Sequence, residues 1–227
     1  MAKENFKKED EQLENVGEAL STAGQWIEEH QNILTWVVTA IVVVILGIIA
    51  LNNYVIKPKG VEANNENAKA VVYFMNGDFE KALNGDDAEC IGFEEIANSY
   101  RSFQAGKLAA LYAGICYYQM GDMESAVTYL KRFSAKDLMI DPAARQLLGN
   151  AYVEMQEYGK AAKAFESAAK SGNDLIAPIC LKKAGFAYLK MENKRAAKKV
   201  FESIKADYPA SQEAQDIDKY IAIADAE

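Results

Sequence analysis

The chain has 227 residues, half of them apolar, and a formal charge of −8 at neutral pH. That is room for one ordinary domain with attachments, and enough apolar mass for a core. An acidic balance without a basic stripe has nothing with which to neutralise a phosphate backbone, so nucleic-acid binding is excluded as the main role.

Residues 1–32 form a polar tail with three lysines against eight acidic residues. Within it Leu13, Val16, Leu20, Ala23 and Ile27 recur at spacings of three and four, with Glu14, Glu18 and Gln25 between them, which predicts a short amphipathic helix. Helices that lie on a bilayer usually carry Lys or Arg on the polar face, and this one is acidic. Two readings stay open: the helix rests on the membrane surface, or it docks on a partner's membrane-proximal surface.

The stretch ILTWVVTAIVVVILGIIAL, Ile33 to Leu51, runs nineteen residues without a charge. At helical rise it spans roughly 28 Å, close to the hydrocarbon thickness of a bilayer. A secretory signal wants a short basic start and a small-x-small cleavage site, whereas here thirty-two residues precede the apolar run and ALNNYVIKPK ends it. The expectation is therefore a retained single-pass anchor over residues 33–56. Without an ionisable group inside it, the span holds the chain in place and conducts nothing.

Lys57, Pro58, Lys59 and Gly60 are expected to break that helix, and with the polar EANNENAK they give a linker over residues 57–67. From residue 68 to 227 apolar residues recur at helical spacing with no alternating run, so the remainder is all-helical. Pro142 and Pro178 fall where the first turn of a helix has no use for an amide hydrogen, and Asp141 precedes the first of them as a natural cap.

The helical part repeats. GICYYQMGDMESAVTYL (114–130), GNAYVEMQEYGKAAKAF (149–165) and GFAYLKMENKRAAKKVF (185–201) share Gly first, Tyr fourth, Met seventh, Ala thirteenth and a large apolar residue seventeenth. A polar turn midway divides each copy into two helices. Helices stacked in this way approach closely only where side chains are small. The reading is that Gly114, Gly149 and Gly185 face Ala126, Ala161 and Ala197, while the tyrosines and Leu130, Phe165 and Phe201 fill the space left between neighbouring pairs.

This pattern over residues 107–210, with Pro209 at the terminal turn, resembles the tetratricopeptide repeat. The early Trp of that family is replaced by Ala110, Arg145 and Leu181. Ala70, Tyr73, Gly77 and Ala82 mark a degraded upstream copy, in which residues 84–92 are taken as an insertion between its two helices. SQEAQDIDKYIAIADA is expected to form a last helix whose polar face closes the stack.

The layout of tail, single span and repeats further resembles the YfgM-like ancillary subunits of the Sec translocon. That resemblance implies a bacterial inner-membrane protein with its N-terminus in the cytoplasm and its repeat domain in the periplasm, a protein interaction scaffold whose partners are translocon subunits and periplasmic chaperones. Charge points the other way: within twenty residues of the span the lysines, Lys57, Lys59 and Lys69, all follow it, which by the positive-inside rule would put the repeats in the cytoplasm. An envelope assembly or cell-division adaptor with the same fold is the second reading.

Catalytic chemistry is poorly supplied. His30, the single histidine, stands at the membrane edge, which leaves the repeats without a Ser-His-Asp, Cys-His or histidine-metal site. Asp86 with Asp87, or Glu94 with Glu95, are adjacent pairs, and neighbours on a helix point apart. Cys90, Cys116 and Cys180 are odd in number and widely spaced, and read as buried thiols. No enzyme activity, cofactor, metal or small-molecule substrate is expected. Recognition remains, in a groove lined by the first helices, with Leu111, Tyr112, Ile115, Gln146, Asn150, Lys182 and Phe186 as its candidate residues. Gln146 with Asn150, and Lys182 with Phe186, do not make the Lys-Asn clamp that grips a chain-terminal carboxylate, so the expected ligand is a helix or extended apolar segment of a protein.

Overall fold

The computed structural model describes residues 26, 30–86, 90–170 and 173–226. The candidate tail residues Leu13, Val16, Leu20 and Ile27 lie outside these. By internal contacts the chain divides into two units, residues 1–58 and 59–227.

The first unit contains α1, Gln31–Leu51, followed by a π-helical turn, Asn52–Ile56. Among the described residues one helix is long and apolar enough to cross a membrane, and this apolar stretch is its core. None of its described side chains is buried against protein. Its two hydroxyls bond back into the helix, Thr35 Oγ1 to the carbonyl of Gln31 at 2.8 Å and Thr39 Oγ1 to that of Thr35 at 2.7 Å, so neither needs water. His30 stacks on Trp26 with ring centroids 4.7 Å apart.

The expected break at residues 57–60 is absent: Lys57–Met75 is helical throughout (α2). A proline ring inside a helix crowds the carbonyl four residues back, here that of Tyr54, and the wider π turn at Asn52–Ile56 is where the register shift is taken up. Nor are residues 59–67 a free linker. Ala63 and Asn67 are buried in the second unit, and Asn67 Nδ2 donates to the carbonyl of Ala105 at 2.8 Å.

The second unit continues with α3 (Phe79–Asn84), α4 (Gly92–Ser99), α5 (Gln104–Met120), α6 (Met123–Leu130), α7 (Ile140–Glu154), α8 (Tyr158–Ala169), α9 (Ala177–Lys190) and α10 (Lys194–Asp207). A 3-10 turn, Glu213–Asp216, leads into α11, Ile217–Asp225. Packing is mainly sequential, each helix against those before and after it, so the core runs along the stack through Phe93, Phe165, Phe201, Ile204 and Ile217.

One turn is repeated four times. The amides of Asp78, Asp122, Glu157 and Asn193 donate to the carbonyls of Tyr73, Tyr117, Tyr152 and Tyr188 at 2.9, 3.0, 2.8 and 2.9 Å, the long-range bond of a helix-ending Schellman turn. The residue before each donor takes a left-handed conformation. Gly77 and Gly121 do so freely, whereas Gln156 and Glu192, at φ 59° and 58°, do so against their side chains.

The repeated glycines have a different partner from the one expected. A Cβ on Gly149 would stand 2.5 Å from Cε1 of Phe165, and one on Gly185 would stand 2.2 Å from Cε1 of Phe201; on Gly114 it would lie 2.7 Å from Cγ of Leu130. Each glycine therefore admits the large residue sixteen positions on, and not the alanine at twelve. Ala126, Ala161 and Ala197 are fully buried.

The upstream unit is a true fourth hairpin, but its insertion lies within the second helix, not between the two. Tyr73 and Tyr117 are 44 residues apart where Tyr117 and Tyr152 are 35 apart, so nine residues are extra. The second helix starts as α3, is interrupted at Gly85, and resumes as α4. The base of the interruption is pinned: the amide of Asp86 donates to the Cys90 carbonyl at 2.8 Å, the amide of Cys90 returns to Asp86 Oδ1 at 3.1 Å, and Tyr73 Oη donates to Asp86 Oδ2. Asp141 is also displaced from its expected role. It lies inside the first turn of α7, paired with Arg145 at 2.6 Å, while Asp137 Oδ1 accepts the amides of Met139 and Ile140 at 2.8 and 2.5 Å. Asn173 does the same before α9, accepting from Leu175 and Ile176 at 2.9 and 3.2 Å.

Candidate partner-binding groove

The first helices of the hairpins, α5, α7 and α9, share one face of the stack. There a cleft of about 440 Å³ opens between Tyr118 of α5, Asn150, Val153 and Glu154 of α7, Tyr158 and Phe165 of α8, and Lys183, Phe186 and Lys190 of α9. Counted from the glycine of each copy, the first-helix positions are two before and one, two, four and five after, which is one broad stripe of a helix. The floor is apolar and the rim carries one carboxylate and one ammonium, Glu154 and Lys190.

Lys183 is the charge inside. Its Nζ donates to Asn150 Oδ1 at 3.0 Å and lies 5.8 Å from the centroid of the Phe165 ring. Burial holds its pKa below the ordinary lysine value of 10.5, because the charged form is partly stripped of water. A group held in this way can offer a bond to a partner carbonyl without first losing much freedom.

Of the seven candidate residues, the structure brings Asn150 and Phe186 together in this cleft. Phe186 is 37 % exposed, with edge contacts to Phe201 and Tyr220 at 5.8 and 4.9 Å behind it. Leu111 is buried with Leu130 and Ala144, and Ile115 packs on that cluster. Tyr112 stacks on Phe93 at 4.8 Å and meets Phe74 edge-on at 5.1 Å. Gln146 is half-buried outside the cleft lining. Lys182 faces away, its Nζ 2.6 Å from Asp216 and 5.1 Å over the Tyr220 ring. The position three before the glycine thus faces the next unit of the stack. Sequence reasoning missed Lys183, Tyr118, Val153 and Tyr158, although the 35-residue correspondence between Tyr118 and Val153 was there to be followed.

Of the adjacent acids, the described Asp86, Glu94 and Glu95 all have structural partners. Glu94 accepts from Tyr117 Oη at 2.9 Å and from Tyr129 Oη at 2.6 Å, and the two rings stack at 5.4 Å. Glu95 accepts from Ser99 at 2.5 Å. Burial beside Glu94 pushes both tyrosines above the ordinary range.

Family models for the tetratricopeptide repeat match residues 108–137, 142–171 and 182–211. These segments are tetratricopeptide repeats. They cover the three hairpins α5/α6, α7/α8 and α9/α10, and the four-fold Schellman turn places α2 with α3 and α4 in the same architecture. Among solved structures, kinesin-light-chain TPR-like repeats from Podosopora anserina align over 73 % of this chain and 85 % of that one, at 13 % identity and a TM-score of 0.52. MamA aligns over 68 % of this chain and 91 % of its own, at 20 % identity and a TM-score of 0.48. The former shares the all-helical solenoid fold. No curated protein matches the chain. Tetratricopeptide repeats imply an interaction scaffold for proteins, and among the described residues one helix long and apolar enough to cross a membrane precedes them.

Proposed function

We propose that this chain is a membrane-anchored scaffold of the bacterial export machinery, tethered to the inner membrane by Gln31–Leu51 and holding a translocon subunit or periplasmic chaperone by its periplasmic repeats. The observation that carries the reading is the mostly apolar cleft of about 440 Å³, with Phe186 open to an incoming side chain and Lys183 held by Asn150. Its dimensions suit a helix or extended apolar segment of a protein. The link to export is supported by the layout of acidic tail, single span and repeats. The described members of the two acid pairs, Asp86, Glu94 and Glu95, are bonded to backbone, tyrosine and serine partners.

Extraction of the full chain in a mild detergent, followed by identification of co-purifying proteins, tests this. Recovery of translocon subunits with the wild type, and their loss with Phe186→Ala, supports the proposal. Recovery of an envelope-assembly or division complex in their place overturns the export link and favours an adaptor of that kind.

A further inference from the structure

A second hollow, of about 340 Å³, shares no residue with the groove. It opens at one edge of the stack, where the ends of α4 and α6 meet the start of α5. Small residues, Ala97, Gly106 and Ala110, line it together with four cations, Arg101, Lys107, Lys131 and Arg132. No carboxylate lines it. The chain is acidic, and residues 57–227 hold 22 basic against 25 acidic groups, so four cations around one hollow reverse the surrounding balance.

Among the described residues none of these cations forms an ion pair; the pairs along the unit involve Lys69, Lys81, Arg145, Lys160, Lys182, Lys198, Lys205 and Lys219. Arg132 is fixed all the same. Nη1 donates to Asn98 Oδ1 at 2.9 Å, Nη2 donates to the Ala97 carbonyl, and the guanidinium lies 5.0 Å over the Tyr129 ring. Those contacts orient the fork without neutralising it. Gly106 belongs to the first turn of α5, whose cap Phe103 supplies no side-chain acceptor, and a Cβ there would stand 2.0 Å from the Tyr100 carbonyl. The helix start is thus held close to the α4–α5 turn, with its partial positive charge added to that of the side chains. A single carboxylate is matched by one guanidinium fork, whereas four cations and a helix start match an anion of higher charge.

We propose that this hollow binds a phosphate-bearing anion, either a free phosphate compound or the headgroup of an anionic phospholipid. Neither source is needed for the groove, so the proposal stands apart from the export reading.

Lysine acetylation read residue by residue by mass spectrometry tests it on the full chain in a maltoside detergent. Inorganic phosphate and pyrophosphate are the free probes, with sodium chloride at matched ionic strength as reference and Lys163, an exposed lysine of α8, as control. Nanodiscs of phosphatidylcholine, alone or with phosphatidylglycerol, form the second arm. Labelling of Lys107 and Lys131 slowed about threefold or more by a free probe, with Lys163 unchanged, supports a free-phosphate site. Slowing in the phosphatidylglycerol discs alone supports a headgroup site. In either case Arg101→Gln should abolish the protection while leaving the melting temperature unchanged. Equal rates in every arm, protection that Lys163 shares, or protection that survives Arg101→Gln would overturn the proposal.

Discussion

Hydrogen is the only side chain that fits at Gly114, Gly149 and Gly185, because the ring or branch sixteen residues later occupies the space. At Gly149 the neighbour is Phe165, which is 1 % exposed and has three ring atoms within 2.9 Å of where the added carbon would stand. Gly149→Ala should therefore destabilise the repeat unit by about 1 to 3 kcal/mol, despite the better helix propensity of alanine. Adding Phe165→Leu should recover part of that loss, and chemical denaturation followed by circular dichroism of the full chain in detergent checks both. The recurrence of Gly, Tyr, Ala and Phe was legible from three aligned copies. Their pairing was not, since spacing on two antiparallel helices leaves a twelve-residue and a sixteen-residue partner equally plausible until the crossing point is known. The thiols were read correctly as buried. Burial pushes Cys116 up to about 12 and Cys180 up to about 11, and raises Cys90 above the ordinary thiol value as well. At about pH 8 none of the three should react with a disulfide reagent on a minutes timescale in the folded protein, and all three should react once it is unfolded. Rapid native labelling would contradict the packing described.

At the scale of the element, the closing turn is held by charge. Asp216 lies between Lys182 at 2.6 Å and Lys219 at 2.8 Å, and the hydrogen bonds from Lys182 and then Lys219 lower its pKa from 3.8 to about 2. A carboxylate with a depressed folded pKa adds stability above its unfolded value and loses it as pH falls through the folded one. The melting temperature of the wild type should thus exceed that of Asp216→Asn above about pH 5, and the gap should close between about pH 4 and pH 2. A gap independent of pH would show that the ion pair does not hold the turn. The offset from Gly185 points to Lys182 as the groove cation, but one residue on a helix is 100° of rotation, enough to put Lys183 there in its place. Element boundaries were legible wherever a repeat fixed them. The insertion was misplaced because the degraded copy lacks the large residue that ends the second helix, so the sequence carries no marker of whether α3 has finished. The first part of helix α2, residues 57–67, was not legible for a different reason: Lys-Pro-Lys-Gly reads as a breaker locally, and the π turn before it accommodates the proline.

For the whole molecule, the all-helical fold class follows from periodicity, which is a global property. Compartment does not, since three lysines oppose the layout. If the repeats are periplasmic, external protease should digest residues 59–227 in intact spheroplasts; resistance until the membrane is opened would place them in the cytoplasm. The central claim, that the face formed by α5, α7 and α9 holds a protein partner, is tested most directly by photo-crosslinking in cells. A photoreactive residue is placed at Tyr158 or Val153 in the groove and, for comparison, at Lys199 of α10, which lines a different cleft. Discrete adducts with one protein from the groove positions and none from Lys199 are predicted. Adducts from Lys199 alone, or none from either groove position, would contradict the account.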